Sequence, residues 1–212
     1  MQRLEVISKF FLALAASIFL FISGIAMPPL GVILLPFVAQ PVLMFGCKFG
    51  IAGAMAVLGV ATLILLVFAG EELGLIYGIF AIMAALLLRL LGRIRAVDHL
   101  VAAVATAMLA ATAGVSYYFF GSWAAMFRDF RQSMTQQLHA AIKMQEKMGF
   151  AQEDIALLKE RAGQVVEAIL QLLPALLLLS FAFIVLINLL YLRRRFPARR
   201  AEWFALEHLR EW

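Results

Sequence analysis

Apolar runs long enough to cross a bilayer recur along almost the whole chain, and no other feature limits its folding so strictly. An α-helix rises 1.5 Å per residue, so about 20 apolar residues cross the roughly 30 Å hydrocarbon core of a membrane. Uninterrupted runs of this kind occupy residues 10–27, 49–69, 73–91, 100–120 and 169–192, and a sixth, broken by prolines, occupies residues 30–45. In hydrocarbon each backbone N–H and C=O must find its partner within the protein, so runs of this length cross as helices. The chain reads as an all-α, polytopic membrane helical bundle with about six transmembrane helices, taken as one membrane domain over residues 1–212. Composition agrees: 65% of the residues are hydrophobic and 15% charged, where a soluble domain carries about a quarter charged. The first run follows a basic flank as a secretory signal would, but it is too long for one and reads as a retained helix.

Residues 28–41, PPLGVILLPFVAQP, hold four of the six prolines. Pro36 and Pro41 lack the amide donors that would bond the carbonyls of Val32 and Phe37. The sixteen residues 30–45 make about 24 Å of helix, short of the hydrocarbon core. Charge placement tests whether this stretch crosses, because Lys and Arg near span ends stay on the cytoplasmic side. With six spans and the N-terminus inside, that side collects Arg3, Lys9, Lys48, Arg89, Arg93, Arg95 and the arginines of a basic tail at 193–212. The outer side holds Glu71 and Glu72 and a long segment whose six basic residues are matched by six acidic ones. Five spans with the N-terminus outside would misplace only Arg3 and Lys9. Six are favoured, with the proline stretch a short, kinked span facing the bundle interior, the kind of broken helix that lines transporter sites.

The balanced segment, residues 122–167, is amphipathic and helical. Trp123, Phe127, Phe130, Met134, Leu138, Ala141, Met144 and Met148 recur at three- and four-residue steps, while Arg128, Arg131, Gln136, Lys143 and Lys147 keep mostly to the other face. Gly149 breaks this helix, and a second one from Gln152 runs into the last span. The first fits either a helix lying at the membrane surface or a lid over the outer mouth of the bundle.

Small residues at four-residue spacing, among them Gly46, Gly50 and Ala54, Gly74 and Gly78, and Ala110 and Gly114, predict close helix packing within the bundle. Polar groups in the spans are few: Gln40, Arg89, Thr106, Thr112, Ser116, Gln171, Ser180 and Asn188. No Asp or Glu lies at mid-depth, which argues against an acidic proton relay. The chain holds no GxxxxGK[ST], HExxH or GxSxG motif and no dinucleotide glycine fingerprint. His99, His139 and His208 stand in separate segments, and the single Cys47 has no partner at zinc spacing. The chain is therefore not read as an enzyme, and neither a catalytic residue, a metal site nor a cofactor is assigned. The basic tail serves topology and anionic headgroups rather than nucleic acid.

The residues after Gly149 carry a resemblance. The runs GFAQEDIALLKERAGQVVEAILQLLPALLLL, INLLYLRRRF and LEHLREW combine an acidic helix (residues 153–167), a Leu-Leu-Pro start to a span (172–174), Asn188, an arginine-rich exit (193–195) and an Arg-Glu-Trp end (210–212). In this they resemble the YybS-like family of predicted bacterial membrane proteins (domain of unknown function 2232). Members of that family usually continue past Arg-Glu-Trp with further spans, so the resemblance implies a C-terminally truncated sequence. The family is distantly similar to the substrate-binding components of energy-coupling-factor transporters, which have a proline-rich early segment followed by glycine, as residues 28–41 and 46–53 do here. That likeness implies a small-molecule binding or transport component in the bacterial inner membrane, with both termini cytoplasmic and energy supplied by separate ATPases. It also implies docking of a transmembrane coupling subunit on a small-residue ridge at Ala13 and Ser17. The ligand site is expected on the outer side, between the proline-broken span, the fifth and sixth spans and the lid, with Gln40, Tyr117, Trp123 and Gln171 as candidates. The rival reading is a structural or assembly protein that recruits partners through its amphipathic segment and basic tail. Oligomeric state is left open.

Overall fold

Glycine sets the tightest turns of the chain. Gly50 and Gly70 have φ of 99° and 98°, a region in which a Cβ is strongly disfavoured. Each lets one helix end and the next begin almost at once. A computed structural model describes residues 2–91, 93–94, 96–148 and 152–196. They form α1 (Gln2–Ala26), α2 (Pro28–Leu34), a 3-10 turn (Leu35–Phe37), α3 (Gln40–Phe49), α4 (Ile51–Phe68), α5 (Glu71–Leu90), α6 (Val97–Phe120), α7 (Trp123–Lys147) and α8 (Gln152–Arg195). Among the described residues six stretches have the length and composition to cross a membrane: Leu4–Ala26, Pro29–Phe49, Ile51–Phe68, Glu71–Leu90, Val97–Phe120 and Arg161–Arg195. The fold is an all-α, multi-pass membrane bundle whose solvent is the lipid bilayer.

The proline stretch is longer than its apolar residues suggest. It continues through Lys48 to Phe49, 21 residues in all, or about 31 Å at helical rise, enough to cross. It is also broken, as α2, the 3-10 turn and α3 in succession. The two carbonyls that receive side-chain donors are those of Pro36 and Val38, not the Val32 and Phe37 carbonyls that a simple count from the prolines suggests. The unwinding shifts the register, so the Val38 amide reaches back three residues to the Leu35 carbonyl.

The contacts divide the chain into two compact units, one of Met1–Thr112 with Leu178–Trp212, the other Ala113–Leu177. In the first, α1 packs on α2, α3 and α4, and α4 packs along α5. Its core joins Phe21, Val38, Val42, Leu43, Val57, Leu65, Tyr77, Met83, Leu87, Val104 and Met108 to Val185, Leu189 and Leu192 of α8. Small residues serve this packing: a Cβ on Gly46 would stand 2.9 Å from that of Ala54, and one on Gly74 would stand 2.9 Å from the Leu66 Cα. Gly78 and Gly114 face open space instead.

In the second unit, Ser122 caps α7 by accepting a 3.1 Å hydrogen bond from the Ala125 amide, as a serine N-cap does. The less exposed positions of α7 include Ala125, Thr135 and Gln145 and a row of apolar residues, Met126, Phe130, Met134, Leu138 and the buried Ile142. This row climbs in strict four-residue steps and so slants around the helix, the geometry of a ridge laid into a neighbour's groove. The stripe expected from sequence shares Phe130, Met134 and Leu138 with it, but its ends, Trp123, Phe127, Met144 and Met148, are exposed. Arg131 pairs with Glu167 of α8 at 2.8 Å, with both side chains at least half exposed, so the pair adds little to stability. Gly149, expected to break the helix, and the tail residues 197–212 lie outside the described residues.

Candidate functional site

Serine, tyrosine, asparagine and glutamine side chains in hydrocarbon must find partners, and in the first unit they gather around the broken span. Asn188, fully buried on α8, donates from Nδ2 to the Pro36 carbonyl at 2.8 Å and to the Ile184 carbonyl at 2.7 Å. Ser17 on α1, also fully buried, donates to the Val38 carbonyl at 2.7 Å. The single Ser17 proton is then used, so the Tyr77 hydroxyl, 2.8 Å away, is the donor to Ser17 Oγ. Gln40 donates from Nε2 to the Asn188 backbone carbonyl at 3.3 Å. Thus α1 and α8 donate to two carbonyls at the helix break, and α5 supplies the donor to Ser17. The buried acceptors Gln40 Oε1 and Asn188 Oδ1 have no hydrogen-bond partner among the described residues.

The Ser17 relay predicts its own coupling. Ser17→Ala and Tyr77→Phe are each expected to cost about 1 kcal/mol, with the double variant well short of additive, because either change breaks the same chain. Reversible unfolding in mixed micelles measures the cycle; additivity would show the two hydroxyls to be independent.

Beside this network lies a cavity of about 590 Å³, within the roughly 300–1,000 Å³ usual for ligand sites. Leu12, Ala13, Ala16 and Leu20 of α1, with Phe37, Pro41, Met44, Phe45 and Phe49, give it apolar walls. Gln40 and Tyr191 also line it, and Lys9, Lys48 and Arg195 supply its charged groups. From Lys48 back to Gln40 is about 12 Å of helical rise, so the cations stand at one end and the amide well inside. Lys48 is ion-paired to Glu5 at 2.9 Å and lies 4.9 Å from the Phe49 ring centroid. Lys9 and Arg195 make no ion pair among the described residues.

Of the residues singled out from sequence, Gln40, Pro41 and Ala13 line this cavity. Pro36 is buried at the helix break beside it. Tyr117 and Trp123 meet in the second unit with ring centroids 5.7 Å apart, both about half exposed. Gln171 is exposed in the same unit. Ala13 and Ser17 lie on the buried side of α1, so the ridge offered to a coupling subunit is used inside the bundle. The residues that sequence reasoning passed over are Lys9, Lys48, Arg195, Tyr77 and Tyr191. The basic ones read as topology signals, and nothing in the pattern shows that the three converge. The cavity also lies at the end carrying these cations, whereas the site was expected at the other end. Among the described residues no group of three or more His, Cys, Asp or Glu could hold a metal ion.

Comparison with curated proteins and with solved structures gave no match. The family described as Predicted membrane protein (DUF2232) matches residues 15–212, nearly the whole of the chain and all the elements that build the cavity beyond the first turns of α1. The chain belongs to this family, the one that the residues after Gly149 resemble.

Proposed function

We propose that the protein is the binding component of a membrane system that handles a small molecule, with the cavity between α1, α3 and α8 as its site. The observation that carries this is the cavity itself: ligand-sized, apolar-walled and charged at one end. Its apolar walls and single charged end suit an amphipathic guest better than they suit a surface that only recruits partners. The broken span supports the reading, because discontinuous helices build transporter sites. Translocation energy would come from separate ATPases, as in the energy-coupling-factor systems that the layout resembles. A coupling subunit docking on α1 would then use its exposed face, Phe11, Ala15, Phe19 and Ile22, rather than Ala13 and Ser17. On this reading both termini lie on the cytoplasmic side of a bacterial inner membrane, which the arginines and lysines near the span ends support.

The test is purification from the native membrane in mild detergent, followed by extraction and mass spectrometry of what the protein carries. Wild type is expected to bring one compound in near-stoichiometric amount. Ala16→Trp and Met44→Trp, which fill the cavity from two helices, should each lose it while keeping their elution volume and melting temperature. Extracts that do not differ among well-folded wild type and variants would sink the proposal.

A further inference from the structure

The cavity's occupant can be narrowed from its walls, and this step rests on the binding reading above. We infer that the site takes a membrane lipid with a phosphate headgroup, which slides in sideways from the bilayer. Two residues of its lining face outward as well: Leu12 is 61% exposed and Tyr191 41% exposed. On a bundle in hydrocarbon, surface exposed at these positions of α1 and α8 meets lipid, so the cavity is open to acyl chains along its flank. Its apolar lining on α1 runs from Leu12 to Leu20, about 12 Å of helical rise.

Charge fixes the headgroup. Lys9, Lys48 and Arg195 line the end of the cavity next to the span termini, where lipid phosphates lie. Among the described residues one acid, Glu5, answers them: it is ion-paired with Lys48, and Lys9 also acts on it. That leaves the described lining a surplus of two positive charges beside an apolar slot, the arrangement that pairs with a phosphate whose tail stays in oil. Topology anchoring accounts for cations at span ends, but not for a hollow between the helices that carry them. A free phosphate would satisfy the cations and leave the apolar walls without a partner.

Native mass spectrometry of the full chain in a neutral detergent tests this, with dioleoyl phosphatidic acid, dioleoyl phosphatidylcholine and inorganic phosphate as probes. One phosphatidic acid per chain should be retained, at least ten-fold more tightly than phosphatidylcholine. The surface substitutions Lys9→Gln and Arg195→Gln together should erase most of that preference, and Ala16→Trp should abolish retention. Full competition by inorganic phosphate would overturn the lipid assignment in favour of a free anion. Equal retention of the two lipids would overturn the phosphate headgroup while leaving the cavity a binding site. No retained lipid in wild type would overturn the lipid class outright, and the co-purified compound described above would then name the true occupant.

Discussion

Gly31→Ala is expected to destabilise the bundle by about 2–3 kcal/mol, the cost of overpacking a rigid contact. A Cβ at Gly31 would be driven into the carbonyl oxygen of Gly24, with the carbonyl carbon only 3.3 Å away. Both obstacles are backbone, and neither can rotate aside. Gly24 is held in turn, since a Cβ there would meet Leu35 side-chain carbons at 3.0 Å. Relief therefore requires α1 and α2 to move apart, which strains the adjoining break. Gly78→Ala is the control: nothing lies within 4 Å of its added methyl, so it should be neutral or stabilise by up to about 1 kcal/mol through helix propensity. Unfolding in mixed micelles compares the two. A Gly31→Ala loss no larger than about 0.5 kcal/mol would mean that the two helices do not approach as closely as described.

Asn188→Leu should cost about 2 kcal/mol. Interhelical hydrogen bonds in membranes average nearer 0.6 kcal/mol, because the separated helices find other partners. This one lies toward the upper end for a specific reason. The Pro36 carbonyl sits where the helix is unwound, so losing Asn188 strands a buried acceptor at about 1–3 kcal/mol. The Pro41→Ala background tests that reason directly. It restores an amide that can continue the helix, letting the Gln40 amide return to the Pro36 carbonyl. In that background the cost of Asn188→Leu should fall by at least half. An unchanged cost would show that Asn188 acts through shape rather than through its donor.

Much of the fold was legible because hydrocarbon is an exacting solvent. It demands long apolar helices, and residues 49–69 or 73–91 could hardly be anything else. It is equally plain where the second span breaks, since Pro36 and Pro41 cannot donate. What hydrocarbon hides is direction. On α1 the exposed Phe11 and Phe19 are as apolar as the buried Leu14 and Phe21, because lipid and core ask for the same side chains. Nothing in the run says which face turns inward, so the sequence holds no signal against the docking ridge at Ala13 and Ser17 that the transporter likeness implies. The site was half legible for a related reason. Gln40 stood out as a polar group in a span and does line the cavity, whereas Lys9, Lys48 and Arg195 looked like any other interfacial cations. Their meeting depends on three helices far apart in sequence. Tyr117 and Trp123 do lie near each other with their rings tilted by 47°, as aromatic neighbours flanking one turn readily can.

The pairing of Pro36 with Asn188 has a bearing on how the protein is made. The two residues are 152 positions apart, and Val38 draws its donor from Ser17, 21 positions upstream. As the chain emerges, the broken span can obtain the second donor at once from α1, but the first is not synthesised until α4 to α7 have been delivered. During that interval the Pro36 carbonyl has to be served by water or by the insertion machinery. α8 is thus the piece that lets the broken span leave an aqueous or protein-lined shelter, and that dependence is inscribed in two prolines and one asparagine.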